Sequence, residues 1–150
     1  MSGPLTRTLV WIGGGALVTA TMINVGAVIG RRIGLPLHGA IELVQVCVLT
    51  AGTIALVRAT ALDAHARIHL VLDRVSPPRR AWVERGCALA GALFFAALLA
   101  GSLWIQADLW SAHEAGEVIG VPWRMLRLIA NLGLAAIALL FALQALRRRQ

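Results

Sequence analysis

Charge is missing from most of this 150-residue sequence. Only 14% of its residues are charged, and residues 8–30, 43–57, 86–107 and 128–146 hold no charge at all. A helix needs about 20 mainly apolar residues to cross a bilayer. The second stretch reaches that length when Glu42 lies inside the first turn of its helix. A soluble domain averages about 45–50% apolar residues, whereas this chain is 59% hydrophobic. Four crossings nearly exhaust its length and leave no room for a soluble domain.

Other shortages narrow the function. Lysine is absent, and all 14 basic residues are arginines at span ends or in one central loop. No basic face alternates with stacking aromatics, which argues against a nucleic-acid partner. The two cysteines, Cys47 and Cys87, fall at different depths of different spans, so a disulfide is not expected. Neither belongs to a CxxC motif, and both read as buried, inert thiols. No Ser/His/Asp set, metal cluster or glycine-rich phosphate loop is evident. Gly13, Gly14 and Gly15 lie inside an apolar span, where small residues allow close helix approach. The four histidines, His38, His65, His69 and His113, fall in loops or at span ends rather than where haem would need them. His65 and His69 share the spacing of one helical face, but no Glu completes an HExxH motif. They read as an interfacial surface. The chain is therefore expected to be no enzyme and to carry no cofactor or metal. A cleavage site is lacking too. The first apolar run has 23 residues, against about 7–15 for a signal core, so it reads as a retained helix.

What the chain does have organises it. The expected architecture is all-α and integral to the membrane, a single four-helix domain over 1–150 with spans near 9–29, 39–58, 82–106 and 122–144. With four spans, both termini and the central loop share one side. That side holds Arg7, six arginines from Arg58 to Arg85, and Arg147, Arg148 and Arg149. The other holds Arg31, Arg32, Arg124 and Arg127. Ten against four puts both termini in the cytoplasm by the positive-inside bias. All five tryptophans fall near expected span ends, as interfacial anchors do. Gly34 and Pro36 break the first outer loop. Residues 59–75 mix apolar and charged side chains and suggest a short amphipathic cytoplasmic segment between helices 2 and 3. Ser76 to Arg80 then turn the chain. Pro122 suits the first turn of the last helix. The third span places Ala97 and Gly101 at a small-xxx-small spacing, a packing surface.

The polar residues near the membrane gather in the outer half. Glu42 opens the second span and Gln45 lies one turn further in. Asn24 nears the end of the first span. Arg124, Arg127 and Asn131 follow one side of the fourth at i, i+3 and i+7. Such groups usually pair, because lipid offers no hydrogen bonds. Glu42 is expected to pair with Arg124, Arg127 or an arginine of another subunit, and the group reads as a clamp between helices or subunits. A small proton-coupled antiporter would need an acid deeper in a span, where desolvation can raise its pKa. Glu42 is too shallow for that. The outer loop between spans three and four carries Asp108, Glu114 and Glu117, with Arg31 and Arg32 on the loop opposite, and these five read as a solvated surface or a docking surface.

Four local features, read in order, resemble a known family. Asn24-Val25 ends the first span, and Glu42-Leu43 opens the second. After it comes His65-Ala66-Arg67-Ile68-His69-Leu70-Val71-Leu72-Asp73-Arg74-Val75-Ser76-Pro77, similar to a family pattern H-I-R-V-D-x-x-x-D-R-L-x-P. Gly120-Val121-Pro122-Trp123 opens the fourth. Together they resemble the small membrane subunit (small permease) of tripartite ATP-independent periplasmic (TRAP) transporters. Val28 and His69 stand where that family often has Arg and Asp. The resemblance implies a bacterial inner-membrane scaffold partner of a large permease subunit. That large subunit would carry out sodium-driven symport of an organic acid delivered by a periplasmic substrate-binding protein. Two other readings are a structural or assembly subunit of another membrane complex and a self-sufficient small carrier.

Overall fold

The computed structural model describes residues 4–62, 77–111 and 118–147. Four helices account for most of them: α1 (Pro4–Arg32), α2 (Ala40–Ala61), α3 (Pro77–Asp108) and α4 (Trp123–Arg147). Each contains a stretch long and apolar enough to cross a membrane: Thr6–Arg32, Ala40–Ala61, Trp82–Asp108 and Trp123–Leu146. The all-α, four-span architecture is therefore present. The amphipathic segment expected between the second and third helices lies mostly outside the described residues, as do His65, His69 and His113.

Local chemistry explains where the helices begin and end. Pro4 starts α1, where a missing N–H costs nothing. At its other end the Leu35 N–H donates to the Gly30 carbonyl at 2.8 Å, and Gly34 takes φ +79°. That is a Schellman closure, with glycine in the left-handed position that a side chain resists. Gly39, at φ +76°, precedes α2, and its carbonyl accepts from the Leu43 N–H at 3.2 Å. The expectation that residues 76–80 turn the chain needs correction: Pro77 and Pro78 already belong to α3. Prolines are tolerated in a first turn because those amides have no intrahelical acceptor. Pro122 stands just ahead of α4, where its carbonyl accepts from the Met125 N–H at 3.0 Å.

Inside the spans three threonine hydroxyls close on their own helices. Thr21, Thr50 and Thr60 donate to the carbonyls four residues back, at 3.0, 2.8 and 2.9 Å. A hydroxyl facing lipid has no water to bond, so this back-bonding satisfies it.

The described helices fall into two contact units. One holds Met1–Ala55 and Ile105–Ala130, the other Leu56–Trp104 and Asn131–Gln150. In the first, Gly13 lets α1 approach α2: a Cβ there would sit 3.5 Å from Ile54 Cγ2. Gly14 and Gly15 face open space, so only one of the three glycines packs as expected. In the second unit Gly91 of α3 meets the Phe141 ring of α4, with a Cβ placed 3.1 Å from two ring carbons. Phe95 stacks on the same ring at 5.8 Å between centroids, and the Gln144 Nε2 donates to the Thr60 carbonyl at 2.8 Å. The glycine contact of α3 is thus at Gly91. Ala97 and Gly101 are exposed, and nothing approaches Gly101 within 4 Å.

Little of this apolar surface is covered by the chain itself. In α3 only 6% of the most apolar window is buried. Cys87 is exposed and Cys47 half-buried, both as free thiols, so the expectation of two buried thiols is corrected. In a protein whose solvent is lipid, an apolar residue can remain exposed without hydrophobic cost.

Candidate functional site

The polar group at the ends of α1 and α2 is built around Glu42. This residue sits in the first turn of α2, where a carboxylate complements the positive end of the helix. It is 9% exposed. Its two oxygens accept from two consecutive backbone amides, Val118 N–H at 2.8 Å and Ile119 N–H at 3.0 Å. Gly120, at φ +77°, follows them and lets the chain turn there without a clashing side chain. Successive amides aimed at one anion form a cradle of the kind that binds carboxylates and phosphates. Here the anion is part of the protein. Glu42 thereby pins the segment before α4 to the start of α2. Ile119 reinforces this contact, since its side chain fills the space a Cβ on Gly39 would need.

The expected partner of Glu42 is Arg124, Arg127 or an arginine of another subunit; the partners seen here are two backbone amides. Backbone amides hold both carboxylate oxygens, Val118 N–H on one and Ile119 N–H on the other. Arg124 instead lies over the Trp110 ring, 5.9 Å from its centroid, a cation–π contact. Arg127 turns towards a cavity of about 880 Å³. Asn24, Arg31, Glu42, Gln45 and Trp123 also line it. Asn131 belongs to the other contact unit and is buried there. The three α4 residues expected to act as one strip therefore have three different environments.

Of the candidate docking residues, Asp108 ends α3 and is exposed, and Arg31 and Arg32 are the last two residues of α1. Glu114 and Glu117 lie outside the described residues. Two further acids, Glu84 and Asp108, lie on a spanning helix, α3. Sequence reasoning missed the amides of Val118 and Ile119 and the ring of Trp110. The amides are separated from Glu42 by 76 and 77 residues. The one available signal was Gly120 just before Val121-Pro122, a turn that exposes backbone donors. Among the described residues no group of three or more His, Cys, Asp or Glu could hold a metal ion.

Comparison with known proteins completes the description. Residues 8–150 match the family model described as tripartite ATP-independent periplasmic transporters, DctQ component. No curated protein and no solved structure matches the chain.

Proposed function

Because the chain belongs to the DctQ component family of tripartite ATP-independent periplasmic transporters, a small permease component, we propose that it is the fixed scaffold beside a large permease subunit. In this reading the large subunit performs sodium-driven uptake of an organic acid handed over by a periplasmic binding protein. The family is one of transporter components, and the four spans make the chain a multi-pass membrane protein.

The observation that carries the scaffold reading is how the buried polar groups are bonded. Among the described residues the buried polar side chains are Glu42, Thr60, Gln106 and Asn131. Thr60 closes on its own helix, and Glu42 is held by two loop amides. A carrier needs polar groups that exchange between substrate and solvent. These two serve the fold instead, which favours a partner role over a self-sufficient carrier. The test is reconstitution with and without the large subunit. Alone, the chain should take up no organic acid. Co-expressed, it should purify as a stable pair that restores uptake. Sodium-dependent uptake by the chain alone would defeat the proposal.

The proposed location is the bacterial inner membrane with both termini in the cytoplasm, as the arginine distribution favours. Cysteines introduced at Ser76 and Ser111 report on this. An impermeant thiol reagent added from the periplasm should label the Ser111 site and not the Ser76 site. The opposite pattern would invert the topology.

Asp108, Glu114 and Glu117, with Arg31 and Arg32, are proposed to help receive the binding protein. Exposed charges govern encounter rate and salt dependence more than final strength. Neutralising the three acids should slow uptake most at low ionic strength, and added salt should shrink the difference. Uptake measured against binding-protein concentration at two ionic strengths checks this. Superimposable wild-type and mutant curves at both would remove the loop from the docking surface.

A further inference from the structure

Most of α1 is exposed, so exposure alone marks no side of it as special. Two carboxamides do. Asn24 on α1 and Gln45 on α2 are exposed, and both line the cavity beside Glu42, so the two helices turn them to a common side. Neither makes a hydrogen bond among the described residues. Thr21 and Thr50, on the same two helices, close on their own carbonyls at 3.0 and 2.8 Å. The carboxamides have no such closure.

Depth makes this costly. Arg31 lies in the last turn of α1, and arginines at span ends mark the headgroup layer. Asn24 stands about two turns before it, about 10 Å deeper along the helix. Gln45 lies one turn inward of Glu42, which is in the first turn of α2. At these depths hydrocarbon is the solvent, and acyl chains neither donate nor accept. A carboxamide can donate two hydrogen bonds and accept two. Lipid ester and phosphate oxygens only accept, whereas a polar side chain of another helix can do both.

The surface around the amides suits a helix. Thr21, Asn24 and Val28 on α1, and Ile41, Gln45 and Val48 on α2, are all exposed and alternate spacings of three and four. That is the seam along which one helix packs on another. Gly52 extends the α2 row with nothing within 4 Å, which leaves room for a close backbone.

We propose that this face docks one membrane-spanning helix of the large permease subunit, and that this helix brings an amide or hydroxyl side chain to the depth of Asn24 and Gln45. The inference rests on the scaffold reading and adds which side of the chain meets the partner. Membership of a family of transporter components favours such a helix over lipid or a second copy of this chain.

The test is photo-crosslinking in membranes that contain the co-expressed pair. A benzophenone amino acid replaces Val28 or Val48, beside the two amides, or Leu93, exposed on α3. Adducts with the large subunit should be severalfold more abundant from Val28 and Val48 than from Leu93. In parallel, N24L/Q45L should lower the yield of the co-purified pair severalfold. The thermal midpoint of that variant alone should equal or exceed that of wild type, because two unpaired amides leave its surface. A lowered midpoint assigns the amides to the chain's own fold and overturns the proposal, as does an undiminished yield of the pair. Adducts equal at all three sites, or most abundant at Leu93, overturn it while the scaffold reading stands. Adducts mainly with phospholipid or with a second copy of this chain also overturn it, and give the face to those occupants. A wild-type chain that never co-purifies with the large subunit defeats the scaffold reading itself, and this inference with it.

Discussion

Glu42→Ala should free the segment before α4 and lower the yield and thermal stability of the assembled transporter severalfold more than it alters substrate or sodium affinity. Two amides, Val118 and Ile119, lose their acceptor at once. Their hydrogen exchange should accelerate by about tenfold or more, as expected when a bond to a charged acceptor is removed. Glu42→Gln should rescue little of this. A carboxamide offers one acceptor oxygen, and its NH2 group would face an amide donor. An ion pair to an arginine would respond differently, since a neutral acceptor oxygen can still receive a guanidinium hydrogen bond. Exchange at Val118 and Ile119 in the two variants therefore separates an amide cradle from a salt bridge. Normal yield, stability and exchange, with only substrate or sodium affinity changed, would make Glu42 a transport site instead.

The second large effect concerns Gly30. In an exposed helix interior, replacing glycine by alanine gains about 1 kcal/mol of helix propensity. Gly30→Ala should do the reverse. The added Cβ lands on the carbonyl oxygen of Leu35, which is backbone and cannot rotate away. Relief requires shifting the turn that the Leu35 N–H closes on Gly30 at 2.8 Å. The cost of such overpacking is about 1–3 kcal/mol. Gly26→Ala is the internal control, four residues earlier on the same helix with nothing within 4 Å. It should be neutral or slightly stabilising. The thermal unfolding midpoints of the two variants decide the matter. If both shift alike, the close approach at Gly30 is not what shapes the turn between α1 and α2.

The sequence by itself determined the number and placement of the membrane spans. Lipid cannot satisfy backbone polar groups, so each crossing must be a long helix with few charges, and such stretches are visible in one dimension. Turn chemistry was equally legible at Gly34 and Pro122, because positive φ and a missing amide are local properties. Residues 65–77 and 120–123 together carried the family resemblance, and the match over residues 8–150 agrees with it. The tertiary structure alone decided which side of each helix meets protein. In α2 and α3 the apolar residues run all the way round, so no periodic stripe marks a packed face. Gly91 was therefore indistinguishable from Gly101, and on α1 three consecutive glycines carry no side chain to mark that Gly13 is the one that packs. The same limit applied to the polar contacts. Arg124 and Arg127 are one turn apart, yet one lies over Trp110 and the other lines a cavity. Glu42 found its partners in backbone amides 76 and 77 residues away. An amide donor belongs to every residue but proline and leaves no mark in the side-chain sequence, so only the folded chain could show which two it would be.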